Sequence, residues 1–517
     1  MQVSGEADIF GRVTLTPNPM RYGLLLIFAL LATACSTTST DTESAPDVII
    51  LQMNDVYEIS PLEGGKVGGL ARVATLKAQL ESEASVVSVL SGDFLSPSLI
   101  GTLKYQGSSI KGLQMVQTLN ALGLDYVTFG NHEFDLKEHE LLPRIDSSSF
   151  VWIGTNVLHV TEGDTLPFTQ GGKPLPTSVV QTIDHEGGSL RILWIGECLP
   201  FNNKPYVTYA PYNTTAQAAL KEHAGAYDLA IAMTHFDWKE DSLFAAENPQ
   251  FALVLGGHNH EHGLMQVGDS RITKADANAK TVYVHRIWFR EGKAPRITST
   301  LVPITDAMEE EPKVAQVVSK WEQIAAEAMD QMGYDPNEVI LQTDSVLDGR
   351  ESSLRNHPTN LGQVTSLAML WADTTLQLGI VNSGSIRLDD QLTGTITMYD
   401  ILRTFPFGGG IVTASLTGAQ LTEILAVGFH TNVGSGGYLH VAGVTELPSG
   451  EFALNGEPLV AHQTYKVAVS DFMASGGEAN LEQLANYTWD HPDTWRGSVR
   501  NDIRDIVAAY FQAGGRW

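Results

Sequence analysis

Tyr126-Val127-Thr128-Phe129-Gly130-Asn131-His132-Glu133 is an apolar, β-branched run that ends in residues able to bind a metal. Four more stretches share its grammar. Val48-Ile49-Ile50-Leu51 leads into Asn54-Asp55, and Val86-Val87-Ser88-Val89-Leu90 into Gly92-Asp93. Leu229-Ala230-Ile231-Ala232-Met233 leads into Thr234-His235, and Phe251-Ala252-Leu253-Val254-Leu255 into Gly256-Gly257-His258-Asn259-His260. Short continuous apolar runs backed by turn residues read as strands buried on both faces. In α/β sheets, ligand sites gather at the carboxyl ends of the strands. The expectation is one sheet whose rim carries two Asp, one Asn and three His. That set spells a metal centre.

Two divalent ions about 3.5–4 Å apart can share a carboxylate, hold a hydroxide and clamp a phosphoryl oxygen for in-line attack. Asp93 is the natural bridge. Asn131, His235 and His258 complete one ion, while Asp55 and His260 serve the other; Mn, Zn and Fe all suit such mixed ligands. His132, beside Asn131, is the proton donor or transition-state stabiliser. Asp135, three residues on, orients its imidazole.

The chain has 517 residues, too many for one ordinary core, so two domains are expected. Apolar content of 43% and charged content of 18% belong to a folded protein. With 59 acidic against 32 basic residues, a formal charge of −27 repels nucleic-acid backbones and argues against a DNA- or RNA-binding role. Residues 1–35 read as a signal peptide: Met20-Arg21, an apolar run over 24–31 too short to span a bilayer, then Ala32-Thr33-Ala34-Cys35-Ser36. They resemble a bacterial lipoprotein signal with Cys35 lipidated, the alternative being an ordinary signal with an incidental cysteine. By the same resemblance, Ser36 favours outer-membrane sorting, and the expected location is the outer membrane or the periplasm. Residues 36–46 form a Ser/Thr-rich tether. An α/β domain follows over 47–306, with helices at 70–83 and 111–122, then a linker helix within 307–338 and a second α/β domain over 339–517. Cys198 is the only other cysteine and reads as a small core residue. The expected protein is a monomer touching a membrane only through its lipid.

The ligand blocks resemble those of the calcineurin-like metallophosphoesterases. More narrowly, the chain is similar to the 5′-nucleotidase family, whose opening helix fits Gly68-Gly69-Leu70-Ala71-Arg72. The resemblance implies a four-layer α/β/β/α sandwich, joined by a helix to a smaller C-terminal α/β domain that binds substrate. It departs at one ligand. The family usually reads Asn-Asp-x-His where this chain has Asn54-Asp55-Val56-Tyr57. Either Tyr57 is a phenolate ligand, suiting a harder ion such as ferric iron, or it packs beside a more weakly held metal. Glu58, one residue on, is expected on the opposite strand face.

Softer motifs continue the likeness in Asn382-Ser383-Gly384-Ser385-Ile386-Arg387, Pro406-Phe407-Gly408-Gly409 and Asp471-Phe472-Met473-Ala474-Ser475-Gly476-Gly477-Glu478. The resemblance implies that Arg355 and Arg387 bind phosphate, with Asn382 nearby, and that Phe407 and Phe472 sandwich a base. The bland readings are surface arginines and core phenylalanines. Glu478 stands where the family has the Asp that holds ribose. The implied activity is release of phosphate from nucleotides or UDP-sugar-like esters. The alternatives are the thiosulfohydrolase branch of the same fold, another phosphoester, or a binding lipoprotein whose centre decayed at Tyr57.

Overall fold

Side chains along Val48–Met53 (β1) alternate between two cores. Val48 and Ile50 join Val87, Val89, Trp194, Ile231 and Leu253 in one buried cluster, while Ile49, Leu51 and Met53 join a second with Leu70, Val73 and Met115. A strand apolar at every position therefore has a core on each face. The computed structural model describes residues 45–517 apart from 186–187 and 291–292. The expected signal peptide, Cys35 and all but the end of the tether lie outside the described residues.

The first sheet runs in the order Arg296–Pro303, Thr281–Trp288, β1, Ser85–Ser91 (β2), Tyr126–Thr128 (β3), Val151–Trp152. Strands β1, β2 and β3 pair in parallel. The second sheet runs Val179–His185, Gly188–Cys198, Leu229–His235 (β4), Phe251–Gly256 (β5), Ser270–Lys274, Gly263–Val267. Strand β4 lies parallel to both of its neighbours. The five strands that carry the candidate ligands are thus divided between two sheets, correcting the expectation of a single sheet. A strand buried on both faces looks the same in sequence whichever sheet it joins.

Helices Leu70–Glu81 (α1) and Leu113–Leu122 (α2) cover the first sheet, and Tyr212–Glu222 and Trp238–Glu247 cover the second through Ala216, Ala219, Phe244 and Ala245. The four layers are α/β/β/α. The linking helix Pro312–Gln331 (α3) buries Val314, Val318, Trp321, Ala325 and Met329. These pack in the same cluster as α1, α2 and Leu361, Val364 and Ile506 of the second domain. The link is therefore a packed layer shared by both domains. Trp321 is fully buried, its ring 5.4 Å from Tyr105 and its Nε1 donating to Gln117 Oε1 at 3.2 Å. Trp321→Ala should cost about 3–5 kcal/mol, the usual range for emptying a large aromatic site. Denaturant unfolding checks this, and a loss below about 1 kcal/mol would mean that α3 is not part of the core.

In the second domain, a four-stranded sheet runs Ile411–Thr417, Thr464–Ser470, Leu378–Asn382, Leu439–Ala442. Gly418–Ala426 covers one face, while Asn360–Trp371 and Ile503–Gln512 lie on the side of the shared cluster. Cys198 is buried, and burial pushes its thiol well above the ordinary range, so it is no nucleophile.

Candidate metal centre

The candidate ligands stand where the parallel strands end. Asp55 follows β1, Asp93 follows β2, Asn131 follows β3, His235 closes β4, and His258 and His260 follow β5. Four of them take left-handed backbone conformations: Asp55 (φ 53°), Asp93 (56°), His258 (81°) and His260 (58°). Such torsions are costly outside glycine and gather at functional sites. Glycines let the loops approach this closely. A Cβ on Gly92 would lie 2.6 Å from Gly130 N, and one on Gly257 would lie 2.4 Å from Ser91 O.

Two triads of ligand atoms result, Asp93 with His235 and His258, and Asp55 with Asp93 and His260. Asp93 belongs to both. Asn131 Oδ1 lies 3.1 Å from His258 Nδ1, joining the first group. Tyr57 Oη lies 3.2 Å from Asp93 Oδ2 and 3.1 Å from His260 Nε2, so it stands among the ligand atoms of the second. Burial and the Asp93 and Asp55 carboxylates push its phenol well above the ordinary range, so ionisation there calls for a neighbouring cation.

His235 tests whether these residues suit a metal. Its Nδ1 is committed to Ser91 O at 2.8 Å, leaving the Nε2 lone pair to face inward in the neutral ring. Nε2 is wholly buried, 3.1 Å from Asp93 Oδ2 and 3.9 Å from Asp55 Oδ1, yet it makes no hydrogen bond. A lone pair aimed at two buried carboxylates is repulsive unless a cation stands between them. Burial opposes a charge on His235, but Asp93 and Asp55 outweigh it and push its pKa up to about 9. The pocket wants positive charge. For His258, burial and His235 push the pKa down to about 3, keeping the neutral form that ligates metals. Phe201 stacks on that ring with centroids 4.2 Å apart.

His132 Nδ1 bonds Asp135 Oδ2 at 2.7 Å, and Asn202 Nδ2 donates to Asp135 Oδ1 at 2.9 Å. His132, Tyr57, His260 and Arg387 line one cavity, with Arg387 Nη2 3.5 Å from His132 Nδ1. Arg355 opens onto a neighbouring cavity of about 200 Å³ with His258 and His260, and pairs with Glu351 at 2.5 Å. Neither arginine is a stray surface charge. Asn382 and Glu478 are buried and meet each other at 2.7 Å, while Ser385 donates to Asn382 Oδ1 at 2.6 Å. Phe407 and Phe472 are 61% and 47% exposed, which removes the core reading of both. Asp471 ties their loops together, accepting from Gly410 N at 2.9 Å and donating to Gly410 O at 3.0 Å.

The sequence matches the calcineurin-like phosphoesterase family over residues 49–262 and the 5′-nucleotidase C-terminal domain over residues 339–485. The chain belongs to the 5′-nucleotidase family. It is 24% identical to a Naja atra venom 5′-nucleotidase, over 84% of this chain and 90% of that protein. It is equally identical to a Bacillus subtilis trifunctional nucleotide phosphoesterase, again over 84% of this chain but only 32% of that longer protein. In fold it resembles a Thermus thermophilus 5′-nucleotidase precursor (TM-score 0.69, 21% identity, 90% of this chain and 96% of that one). It also resembles a Thermus thermophilus sulfate thiohydrolase (TM-score 0.64, 15% identity, 91% and 95%).

Within this 5′-nucleotidase frame, the structure adds groups that motif reading did not single out. Glu133 is buried and accepts from the backbone N–H of Asp93, Phe94, Leu95 and Gly130 at 2.7–3.1 Å, fixing both ligand loops. Its place directly after His132 was the available signal. Glu58 corrects an expectation. Strand β1 ends at Met53, so strand alternation does not govern it; it lines the same cavity as Tyr57, with Tyr399 Oη 3.4 Å from its Oε2.

Proposed function

We propose that the chain is a two-metal phosphohydrolase that releases phosphate from nucleotides. Asp93 carries this reading, because it belongs to both ligand groups and His132 and Arg387 share the adjoining cavity. Asp93, His235, His258 and Asn131 would hold one divalent ion (Mn, Zn or Fe), and Asp55, Asp93, His260 and Tyr57 the other. Bound there, the ions supply Lewis-acid polarisation of a phosphoryl oxygen and a lowered pKa for water. Arg387 offers a planar fork to phosphate oxygens. His132, its Nδ1 held by Asp135, keeps Nε2 for the leaving oxygen.

The exposed phenylalanines favour a nucleotide over the thiosulfohydrolase alternative, since two solvent-facing rings suit base stacking. Assembly of the ligand cluster around Tyr57 argues against a decayed binding protein.

Phe407→Ala with Phe472→Ala tests the substrate class. Lost stacking of about 1–3 kcal/mol per base contact predicts roughly tenfold to over a hundredfold in kcat/KM per ring on AMP. Activity on a small aryl phosphate and the bound metal should be retained. If the double variant hydrolyses AMP as well as the parent, the substrate is not a nucleobase compound.

A further inference from the structure

A histidine can offer a metal only one nitrogen, and the hydrogen bond at the other decides which. Two of the three histidines here have such a bond, and the third, His258, has only a carboxylate near its outer nitrogen. His235 Nδ1 meets Ser91 O at 2.8 Å, and His258 Nε2 lies 3.6 Å from Asp237 Oδ1, both within the first domain. His260 differs. Its Nδ1 bonds Asp389 Oδ2, a carboxylate from the second domain, leaving Nε2 to face Asp55 Oδ1 at 3.3 Å.

The loop that brings Asp389 is built to span the domains. Arg387 enters the cavity beside His132, and Leu388 is buried. Asp389 takes a left-handed backbone (φ 45°) and its Oδ1 accepts from Glu351 N at 2.7 Å, so the carboxylate is held from behind. Asp390 pairs with Lys280 of the first domain and with Arg403 at 3.0 Å.

We propose that Asp389 is the positioning residue for His260, so that the second domain completes one of the two ion sites. The inference rests on the two-metal reading. It makes the Asp389 carboxylate itself, and not docking of the domains in general, the second domain's contribution to the ion at Asp55, Asp93 and His260, while the ion at Asp93, His235 and His258 needs the first domain alone.

The test is manganese affinity, measured on the full chain by chelator competition with elemental analysis. The parent should hold two equivalents. Asp389→Ala should keep one at parental affinity and weaken the other about 10–100-fold, the usual effect of removing an outer partner of a metal ligand. Asp389→Asn keeps an acceptor of the same shape and should recover part of the loss. Asp389→Ser, too short to reach His260, serves if the Ala variant fails to fold. Asp390→Ala breaks the Lys280 and Arg403 contacts without touching His260, and should lower the melting temperature but not the affinity. Parental affinity for both ions in Asp389→Ala overturns the proposal. So does equal weakening in Asp390→Ala, which would assign the effect to domain docking in general. A parent chain holding fewer than two ions would overturn the two-metal reading, and this inference with it.

Discussion

Asp93→Asn is expected to abolish turnover and to release bound metal while leaving the fold intact. The two carboxylate oxygens have separate tasks. Oδ1 accepts from His132 N at 2.7 Å, a backbone bond that an asparagine oxygen can keep. Oδ2 lies 3.1 Å from His235 Nε2 and 3.2 Å from Tyr57 Oη, which makes it the oxygen facing the ligand cluster. The substitution puts an amide nitrogen there, with protons in place of lone pairs. Neither ligand group then has its shared donor. Metal clamping contributes several kcal/mol to transition-state stabilisation. At about 1.36 kcal/mol per tenfold, its loss predicts a fall of roughly 10³-fold or more in kcat. Elemental analysis should show at least one equivalent missing, with the melting curve close to that of the metal-free parent. A variant with full metal and most of its activity would remove Asp93 from the bridge.

How much of this was legible depends on the distance over which each relationship acts. The strand ends were readable because run and ligand adjoin in sequence, as in Thr128-Phe129-Gly130-Asn131. The pairing of His132 with Asp135 was readable because three residues on a short turn bring the side chains together. The division of the ligands between two sheets was not. Val48, Ile50, Ile231 and Leu253 share a core that no local pattern announces. Asp389 was invisible for the same reason, since its partner His260 lies 129 residues away on another domain. Glu58 was misjudged because a period-two argument was carried beyond Met53, where the strand stops. The arginines and phenylalanines were found through likeness to a family, and their burial then separated the functional reading from the bland one. Exposed rings at 407 and 472 and cavity-lining guanidinium groups at 355 and 387 fit neither a core nor a stray surface.

His132→Ala should lower kcat by about 10²–10⁴ on nucleotides, the scale of general acid catalysis, with metal content unchanged. The ring can be removed without disturbing the ions, because only the backbone N–H of His132 reaches Asp93 and its imidazole belongs to neither ligand group. The imidazole is set up as a proton donor. Burial alone would strip its proton, but Asp135 and Asp93 outweigh that and raise its pKa above the ordinary value. Asp135 is itself anchored by Asn202 and by Ser96 Oγ at 3.2 Å, so the ring has one orientation. A sugar alkoxide is a poor leaving group and needs that proton as the P–O bond breaks. An aryl oxide does not. The loss should therefore shrink markedly on an aryl phosphate, and parallel assays of AMP and an aryl ester read the difference directly. Equal losses on both substrates would mean that His132 stabilises charge on the phosphoryl group. Arg387, 3.5 Å from its Nδ1, would then share that task, and the proton would have to come from elsewhere.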